Sequence, residues 1–409
     1  FNHRLPAASE AGMAQWLEQL RRFLQQSQPI DGEQLDSEAR LNHEIFTRLL
    51  ENEIAEFEFQ AYRFPISKAF GIHTSLAESL PFITPFEQVA DYEAYLSRLG
   101  EIPRYFSENI QVMRAGLELG YLPVRVTLEG VVEGLQQPID AGEQSLYLLP
   151  FRHFPAVFSA EECARLAAAG RAILESAVVP AEEELLKFLR DEYLPAARSE
   201  VGAYLLPDGP AFYQHRIRFY TSLDMTPEQI HATGLAEVRR IRSEMEELIR
   251  GVEFQGTFPE FVEFLRSDRR FYPTSAEELL KETAYLLKRI DGELPRLFKT
   301  LPRTPYGIRT IPEASAPGAT TAYYFPPTGD GRTAGFYYVN TFGLQSRALY
   351  ELEALSLHEA VPGHHLQIAL QQELDLPNFR RFGGFTAFVE GWALSSERLG
   401  LEMGFNQDP

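Results

Sequence analysis

Cysteine is almost missing from this sequence of 409 residues, in which Cys163 is the single example. One cysteine cannot form a disulfide within the chain, and the helical pattern around Cys163 carries no motif of a catalytic thiol. Long apolar runs are missing as well, because no stretch approaches the 18 or so uninterrupted apolar residues that indicate a transmembrane helix. The sequence therefore predicts neither an internal disulfide nor a membrane span.

Basic residues are few relative to acidic ones, with 38 Lys and Arg against 58 Asp and Glu, which gives a formal charge of −20. Nucleic-acid binding needs clustered Lys and Arg to neutralise phosphates, so a nucleic-acid partner is not expected. The N-terminal residues lack an initiator methionine, a basic n-region and an apolar signal segment. The compartment therefore stays open between a cytoplasmic and an exported soluble protein.

Apolar residues at three-and-four spacing predict helices over most of the chain, so the expected fold class is mainly α. Residues 1–205 are expected to form a helical N-terminal part, and 206–409 the catalytic part. Within the latter, β-branched and aromatic segments at 302–343 predict a small antiparallel β-sheet. Helices are expected at 345–374 and at 379–402. No clean linker separates these parts, which favours one domain wrapped by helices.

Three of the nine histidines fall within eight residues, in the run His-Glu-Ala-Val-Pro-Gly-His-His at 358–365. Catalytic zinc is usually bound by three protein ligands, drawn from neutral imidazoles and carboxylates, plus water. In the helical motif His-Glu-x-x-His, two histidines one turn apart bind zinc and the glutamate acts as the base. His358 and Glu359 fit this pattern as a metal ligand and a general base.

Pro362 occupies the position where that motif has its second histidine. Proline cannot donate to the carbonyl of His358, so the helix must kink or bulge at 361–363. In an unbroken helix, His365 would share a face with His358 but lie about 10 Å away along the axis, too far for one metal ion. A bulge that loops out two residues would bring His364 to the position of the second ligand, and His365 is the alternative.

A third ligand is expected from a later helix, and the candidate is Glu390, 26 residues after His364. It lies in the apolar segment Phe-Val-Glu-Gly-Trp at 388–392, where an unpaired carboxylate is costly. Glu397 follows two turns later on nearly the same face of the helix. It is either a hydrogen-bond partner of a ligating histidine or an ordinary surface glutamate.

The ten-residue run His-Glu-Ala-Val-Pro-Gly-His-His-Leu-Gln at 358–367, together with the later Glu-Gly-Trp-Ala-Leu at 390–394, resembles the bacterial family called domain of unknown function 885. The resemblance extends upstream to 220–235 and 330–340, and so covers nearly the whole chain. This family is similar to the gluzincin metallopeptidases, which implies a zincin-like catalytic domain with helices around a cleft. Its members usually run longer, so we expect the chain to be incomplete at both ends.

The resemblance implies one zinc ion bound by His358, His364 and Glu390, with Glu359 as the general base for peptide-bond hydrolysis. A weaker similarity reaches thimet oligopeptidase and angiotensin-converting enzyme, whose motif is His-Glu-x-Gly-His. Aligning the Gly-His pairs makes His364 the implied second ligand. A helical gluzincin encloses a deep cleft, which implies short peptides as substrates for an oligopeptidase or carboxypeptidase-like enzyme. The Tyr or His that stabilises the transition state in oligopeptidases is expected beyond this chain.

Substrate contacts are expected from the segment 334–341, as the edge strand beside the metal-binding helix that pairs with a substrate backbone. Tyr337, Tyr338 and Asn340 lie in this segment, and core packing is the alternative for the two tyrosines. Arg332 is a candidate for holding a substrate carboxylate, with a loop-stabilising ion pair as the alternative. The sequence does not predict an oligomeric state.

Two other functions are compatible with the same residues. Metal-and-water chemistry also serves the hydrolysis of non-peptide amides or esters. The second alternative is a non-catalytic binding protein with a vestigial metal site. The joint presence of His358, Glu359, His364 and Glu390 argues against such a loss.

Overall fold

Helices dominate the computed structural model of this protein, which describes residues 3–68, 71–313 and 316–407. The expected mainly-α fold is confirmed. The chain divides into two compact units, Phe1–Tyr213 and Gln214–Pro409, close to the boundary expected between the N-terminal and catalytic parts. Within the described residues, no helix combines the length and the apolar character needed to cross a bilayer.

The first unit is built from helices that begin at well-formed N-caps. The side chains of Ser9, Asp36 and Ser159 each accept a hydrogen bond from a backbone N–H in the first turn, which satisfies a donor that the helix leaves free. Helices α3 to α8 surround one large core that contains the fully buried Tyr95 and Leu99. The helices are α1 Glu10–Ser27, α2 Ser37–Glu58, α3 Ile72–Ile83, α4 Val89–Gly100, α5 Ile102–Glu118, α6 Val131–Asp140, α7 Ala160–Ile173, α8 Val179–Phe188 and α9 Leu194–Ala196.

The second unit contains the remaining helices and the sheet. Thr226 and Gln229 form a reciprocal capping box, with Pro227 as the first helical residue, as their sequence predicts. α10 Gly209–Thr221 contains the division between the units. The other helices are α11 Pro227–Gly251, α12 Phe258–Ser267, α13 Ala276–Glu293, α14 Leu352–Glu359, α15 His364–Glu373, α16 Asn378–Arg381 and α17 Thr386–Met403.

Three strands form a mixed sheet in the order β1-β3-β2: β1 Tyr306–Thr310, β2 Ala322–Phe325 and β3 Gly335–Val339. β2 pairs antiparallel with β3, whereas β1 pairs parallel with it. The expectation of a purely antiparallel sheet is therefore wrong. Side-chain alternation indicates a strand but not its direction, which the connections between strands decide. Two residues of the predicted sheet segment, 314 and 315, lie outside the described residues.

The central position of β3 also corrects the expectation that 334–341 is an edge strand. Both edges of β3 are already paired, so its backbone has no free edge to which a substrate strand could add. The edge strand that contacts α14 is β2. The strand order is a tertiary property that the local pattern of apolar residues does not contain.

The helix expected at 345–374 is interrupted, because the structure has a break at 360–363 between α14 and α15. This break lies where proline predicts it, so the predicted kink is confirmed. The helix expected at 379–402 is also divided, into α16 and α17, and the adjacent Gly383 and Gly384 lie between them. Glycine is unfavourable in the interior of a helix, which accounts for this second interruption.

The core of the second unit is formed by residues of α13, β3, α14, α15 and α17. α14 contacts α13 on one side and α17 on the other, and α15 also contacts α17. The buried residues that join these elements are Leu287 and Ile290 from α13, Tyr337 from β3, Leu357 from α14, Leu366 from α15 and Met403 from α17. This packing holds the C-terminal end of α14, the N-terminal end of α15 and the middle of α17 close together.

Candidate metal centre

The break between α14 and α15 is the local feature that creates the site. α14 ends with His358 and Glu359, and α15 begins with His364. A backbone hydrogen bond spans the break, since the N–H of His365 donates at 2.9 Å to the carbonyl of Ala360, five residues earlier. The two histidines His358 and His364 are thereby brought together, with ring centroids 4.7 Å apart and ring planes at 89°.

Glycine is required at position 363 because the chain passes very close to itself there. A Cβ atom at Gly363 would overlap the backbone carbonyl oxygens of Leu357 and His358. The backbone dihedrals of Gly363, φ −71° and ψ −130°, also lie outside the helical region. The Pro-Gly pair of the sequence therefore serves the geometry of the break directly.

Three side chains converge at this break. The Nε2 atom of His358 lies 3.5 Å from Oε2 of Glu390, and Nε2 of His364 lies 3.8 Å from the same oxygen. One ligand atom from each of the three residues lies within 4.8 Å of the other two. The two histidine rings are mostly buried, whereas 57% of the Glu390 side chain is exposed. The cluster thus opens to solvent on the side of α17.

The outer nitrogen of His358 is held by a second carboxylate. Its Nδ1 atom lies 2.8 Å from Oε1 of Glu397, one of the two roles considered for that residue. Because an ionised carboxylate only accepts, Nδ1 carries the proton and donates it, which leaves the lone pair of Nε2 facing the cluster. This pairing is typical of histidines that bind metal.

Electrostatics at the break favour a protonatable Glu359 and a neutral His364. Burial, with a smaller contribution from the negative charge of Glu390, raises the pKa of Glu359 to about 7. His358 and the backbone N–H of Tyr324, which donates to the Glu359 carboxylate, oppose this rise. Burial and the neighbouring His358 lower the pKa of His364, which favours its neutral form.

His365 is not a member of the cluster, because both of its ring nitrogens have other partners. Nδ1 lies 2.8 Å from the hydroxyl of Tyr324, and Nε2 lies 3.1 Å from the carbonyl oxygen of Thr304. Burial lowers the pKa of His365 to about 4. Of the two histidines considered as second ligand, the structure therefore brings His364 to the cluster.

The donor set fits a zinc ion. Two imidazole nitrogens and one carboxylate oxygen are zinc ligands, and with bonds of about 2.0–2.1 Å neighbouring ligands of a tetrahedral site lie about 3.4 Å apart. The observed separations from Glu390, 3.5 Å and 3.8 Å, are close to this value. Because 57% of the Glu390 side chain is exposed, water can reach the cluster from this side.

The sequence as a whole matches the model of one family over residues 1–409, described as bacterial protein of unknown function, DUF885. The chain belongs to the DUF885 family. This confirms the expected membership of the DUF885 family. No curated protein matches this DUF885 chain.

Two solved structures have the same fold as the DUF885 chain. One is a lipoprotein candidate from Colwellia psychrerythraea, with a TM-score of 0.92 and 26% identity, aligned over 99% of this chain and 72% of that one. The other is a lipoprotein candidate of unknown function from Shewanella oneidensis, with a TM-score of 0.60 and 17% identity. Its alignment covers 99% of this chain and 73% of that chain, and at this identity it shows the fold alone.

The four residues expected to contact substrate in this DUF885 protein lie outside the ligand cluster. Tyr337 and Asn340 are fully buried, and the amide of Asn340 donates to backbone carbonyls of the loop before β2. Tyr338 is buried and stacks on Tyr323 at 4.9 Å. Arg332 is largely exposed, 3.8 Å from Asp330, as in the ion pair considered for it.

Two residues at the site were not predicted from the DUF885 sequence. Tyr324 lies on the edge strand β2 and contacts His365 and Glu359. Trp392 donates from its indole Nε1 to the carbonyl of Pro362, across the break. In the sequence, Tyr324 is one of several aromatic residues in a predicted strand, and no local motif distinguishes it. Trp392 lies within 388–392, the segment from which the third ligand was expected.

A cavity of about 340 Å³ lies apart from the cluster of His358, His364 and Glu390. Its lining includes Thr304, whose carbonyl accepts from His365, and the charged side chains of Arg303, Asp330, Glu373 and Arg381. No ligand of the cluster lines this cavity.

Proposed function

We propose that this DUF885 protein is a zinc-dependent hydrolase that cleaves peptide bonds in short peptides. The observation that carries the proposal is the convergence of His358, His364 and Glu390, with their ligand atoms within 4.8 Å of one another. Its support comes from Glu359 beside this cluster and from the similarity of the motifs to gluzincin peptidases. The three ligands lie on three different helices, so the cluster depends on the fold and not on one helical surface.

The chain's own residues divide the work in a simple way. His358, His364 and Glu390 would hold the ion, and Glu397 would orient His358 through its Nδ1–H. A bound zinc ion supplies Lewis-acid activation of water and of the scissile carbonyl. Glu359 would accept a proton from the attacking water and pass it to the leaving amine, as a buried carboxylate with a pKa near neutrality can do.

Two other functions share this chemistry or this cluster. Hydrolysis of non-peptide amides or esters would use the same residues. A binding protein with a vestigial site would keep the ligands without turnover. Peptide hydrolysis is preferred because the base and all ligands are present together, and because the family resemblance points to peptidases.

The first experiment is elemental analysis of the purified protein. We expect about one zinc per chain in the wild type and a clear loss in His364→Ala and in Glu390→Ala. His231→Ala is the matched control, because His231 is exposed on α11, outside the cluster. Absence of zinc from the wild type, even after reconstitution, would contradict the proposal.

The second experiment tests turnover. A quenched fluorescent peptide library is compared with panels of non-peptide amides and esters, using wild type and Glu359→Gln. We expect peptide hydrolysis that falls by about 10²–10⁴-fold in Glu359→Gln while the zinc content stays unchanged. Turnover of the non-peptide panels alone would favour the first alternative, and full zinc occupancy without any turnover would favour the second.

A further inference from the structure

Tyr324 interacts with three residues in or beside the candidate metal site, although it is not one of the candidate ligands. Its hydroxyl lies 2.8 Å from Nδ1 of His365. Its ring faces that of His364, with centroids 6.4 Å apart and planes at 27°. Its backbone N–H donates to the carboxylate of Glu359. One residue of the edge strand is thus linked to the base, to a ligand and to the histidine beside that ligand.

The direction of each hydrogen bond follows from the donor inventory. The carbonyl oxygen of Thr304 can only accept, so Nε2 of His365 carries the proton and donates it. Nδ1 of the neutral ring then has a free lone pair, and the hydroxyl of Tyr324 must be its donor. His365 is 2% exposed, so water does not compete for either nitrogen. We call this chain of contacts, Tyr324–His365–Thr304, the clasp.

The strand geometry explains why the backbone of Tyr324 is available to Glu359. On an edge strand, successive residues direct their N–H groups alternately toward the neighbouring strand and away from it. β3 is the neighbour of β2 on one side, and α14 lies against β2. The N–H of Asn340 donates to the carbonyl of Thr321, so residues 321 and 323 face β3 and the N–H of Tyr324 is directed away from β3. On that side it acts as a hydrogen-bond donor that lowers the pKa of Glu359.

Glycine at position 335 makes room for the clasp. A Cβ atom there would overlap the hydroxyl of Tyr324 and approach Nδ1 of His365 to 2.9 Å. Gly335 is the first residue of β3, so the central strand leaves a gap where the two side chains meet. The clasp therefore involves both the sheet and α15.

We infer that Tyr324 and His365 are positioning residues, whose clasp holds β2 against the metal-site helices so that the N–H of Tyr324 orients the carboxylate of Glu359. The clasp consists of hydrogen bonds that exist in the folded protein independently of turnover. Its consequence for turnover rests on the proposed function. In this arrangement His365 supports the site from its neighbouring position without binding the metal.

The test of the clasp is ¹⁵N NMR of histidine side chains in the full chain. We expect His365 to show a protonated Nε2 and an unprotonated, hydrogen-bonded Nδ1, and Tyr324→Phe to shift the Nδ1 resonance. Tyr323→Phe is the matched control, because it removes a hydroxyl from the adjacent residue of β2 and leaves the clasp intact. If the Nδ1 resonance of His365 is the same in Tyr324→Phe as in wild type, the clasp is overturned, whether or not the protein is active.

The test of the positioning role compares kinetics and zinc content, with the best peptide from the library as substrate. We expect Tyr324→Phe to lower kcat about tenfold, with KM changed less than about twofold and zinc retained, because one hydrogen bond is lost. His365→Leu should lose at least as much activity. His365→Gln, whose amide can both accept from Tyr324 and donate to Thr304, should recover most of it.

Two results would overturn the positioning role. One is unchanged kcat in Tyr324→Phe, and the other is loss of zinc in His365→Gln, which would make His365 a ligand. Failure of the wild type to bind zinc or to cleave any peptide would instead overturn the proposed function. The ¹⁵N result separates these cases, since it reports the clasp without any substrate.

Discussion

The indole Nε1 of Trp392 donates a 2.8 Å hydrogen bond to the carbonyl oxygen of Pro362. This contact joins the helix that carries Glu390 to the break that separates His358 from His364. A carbonyl inside a helix break has no helical donor, so an outside partner is needed to satisfy it. Trp392 therefore fixes the position of Glu390 relative to His358 and His364.

Replacement of Trp392 by Phe should weaken metal binding. The variant keeps an aromatic ring but leaves the Pro362 carbonyl without its donor, a loss of about 1 kcal/mol or more. We expect zinc affinity to fall about tenfold, measured by competition with a chromophoric chelator. Trp16→Phe is the matched control, since Trp16 is half-exposed on α1. Equal affinity of both variants would contradict the role of Trp392.

Replacement of Gly363 by Ala should abolish the site. The added Cβ would overlap two backbone carbonyls, so the break must open or α15 must shift. We expect loss of zinc and a fall in the free energy of unfolding of about 2–4 kcal/mol, by elemental analysis and urea denaturation. Gly391→Ala is the control: it lies in α17, no described atom is within 4 Å of its Cβ position, and zinc should be retained.

Removal of the carboxylate behind His358 should reduce metal affinity without abolishing it. Glu397→Ala leaves Nδ1 of His358 without its acceptor and the ring without a fixed orientation. The expected loss of zinc affinity is about 10–100-fold. Glu402→Ala, an exposed glutamate on the same helix, should leave affinity unchanged. If Glu397→Ala and Glu402→Ala lose the same amount of zinc affinity, the effect comes from the negative charge of α17 and not from the hydrogen bond to His358.

The first unit contains a titratable group that should make its stability depend on pH. Glu182 in α8 is 1% exposed, and neither carboxylate oxygen has a hydrogen-bond partner among the described residues. Burial raises its pKa from 4.5 to about 8. Between these values the folded chain keeps a proton that the unfolded chain has released. Stability should therefore fall as pH rises through this window, by at most about 1.4 kcal/mol per unit.

Glu182→Gln removes this titration without changing the size of the side chain. Its stability relative to wild type should increase steadily from pH 5 to pH 8, measured by urea denaturation. Glu183→Gln is the control, because Glu183 is the exposed neighbour in the same helix. A constant difference between wild type and Glu182→Gln across this range would show that Glu182 ionises normally.

The chemistry of the candidate site was predictable from the sequence because it resides in side-chain types at short spacing. His358 and Glu359 are adjacent, and the position of Pro362 predicts the break that the structure contains. The later segment with Glu390 was found from its motif and its spacing after His364. The expected apolar setting of this carboxylate was wrong, because 57% of the Glu390 side chain is exposed. Helical spacing likewise predicted the dominant helices, since it repeats within a few residues.

Several features were decided only by the tertiary structure. The choice of His364 over His365 depends on Tyr324 and Thr304, which lie 41 and 61 residues from His365 in sequence and occupy its two nitrogens. β3 lies at the centre of the mixed sheet because of the path of the connections between the strands. Segment 334–341 is therefore not the edge strand that was expected. The sequence by itself therefore determined which chemistry is available and where the helix must break. Long-range packing determined which of the available groups meet, because local periodicity holds no information about contacts between distant segments.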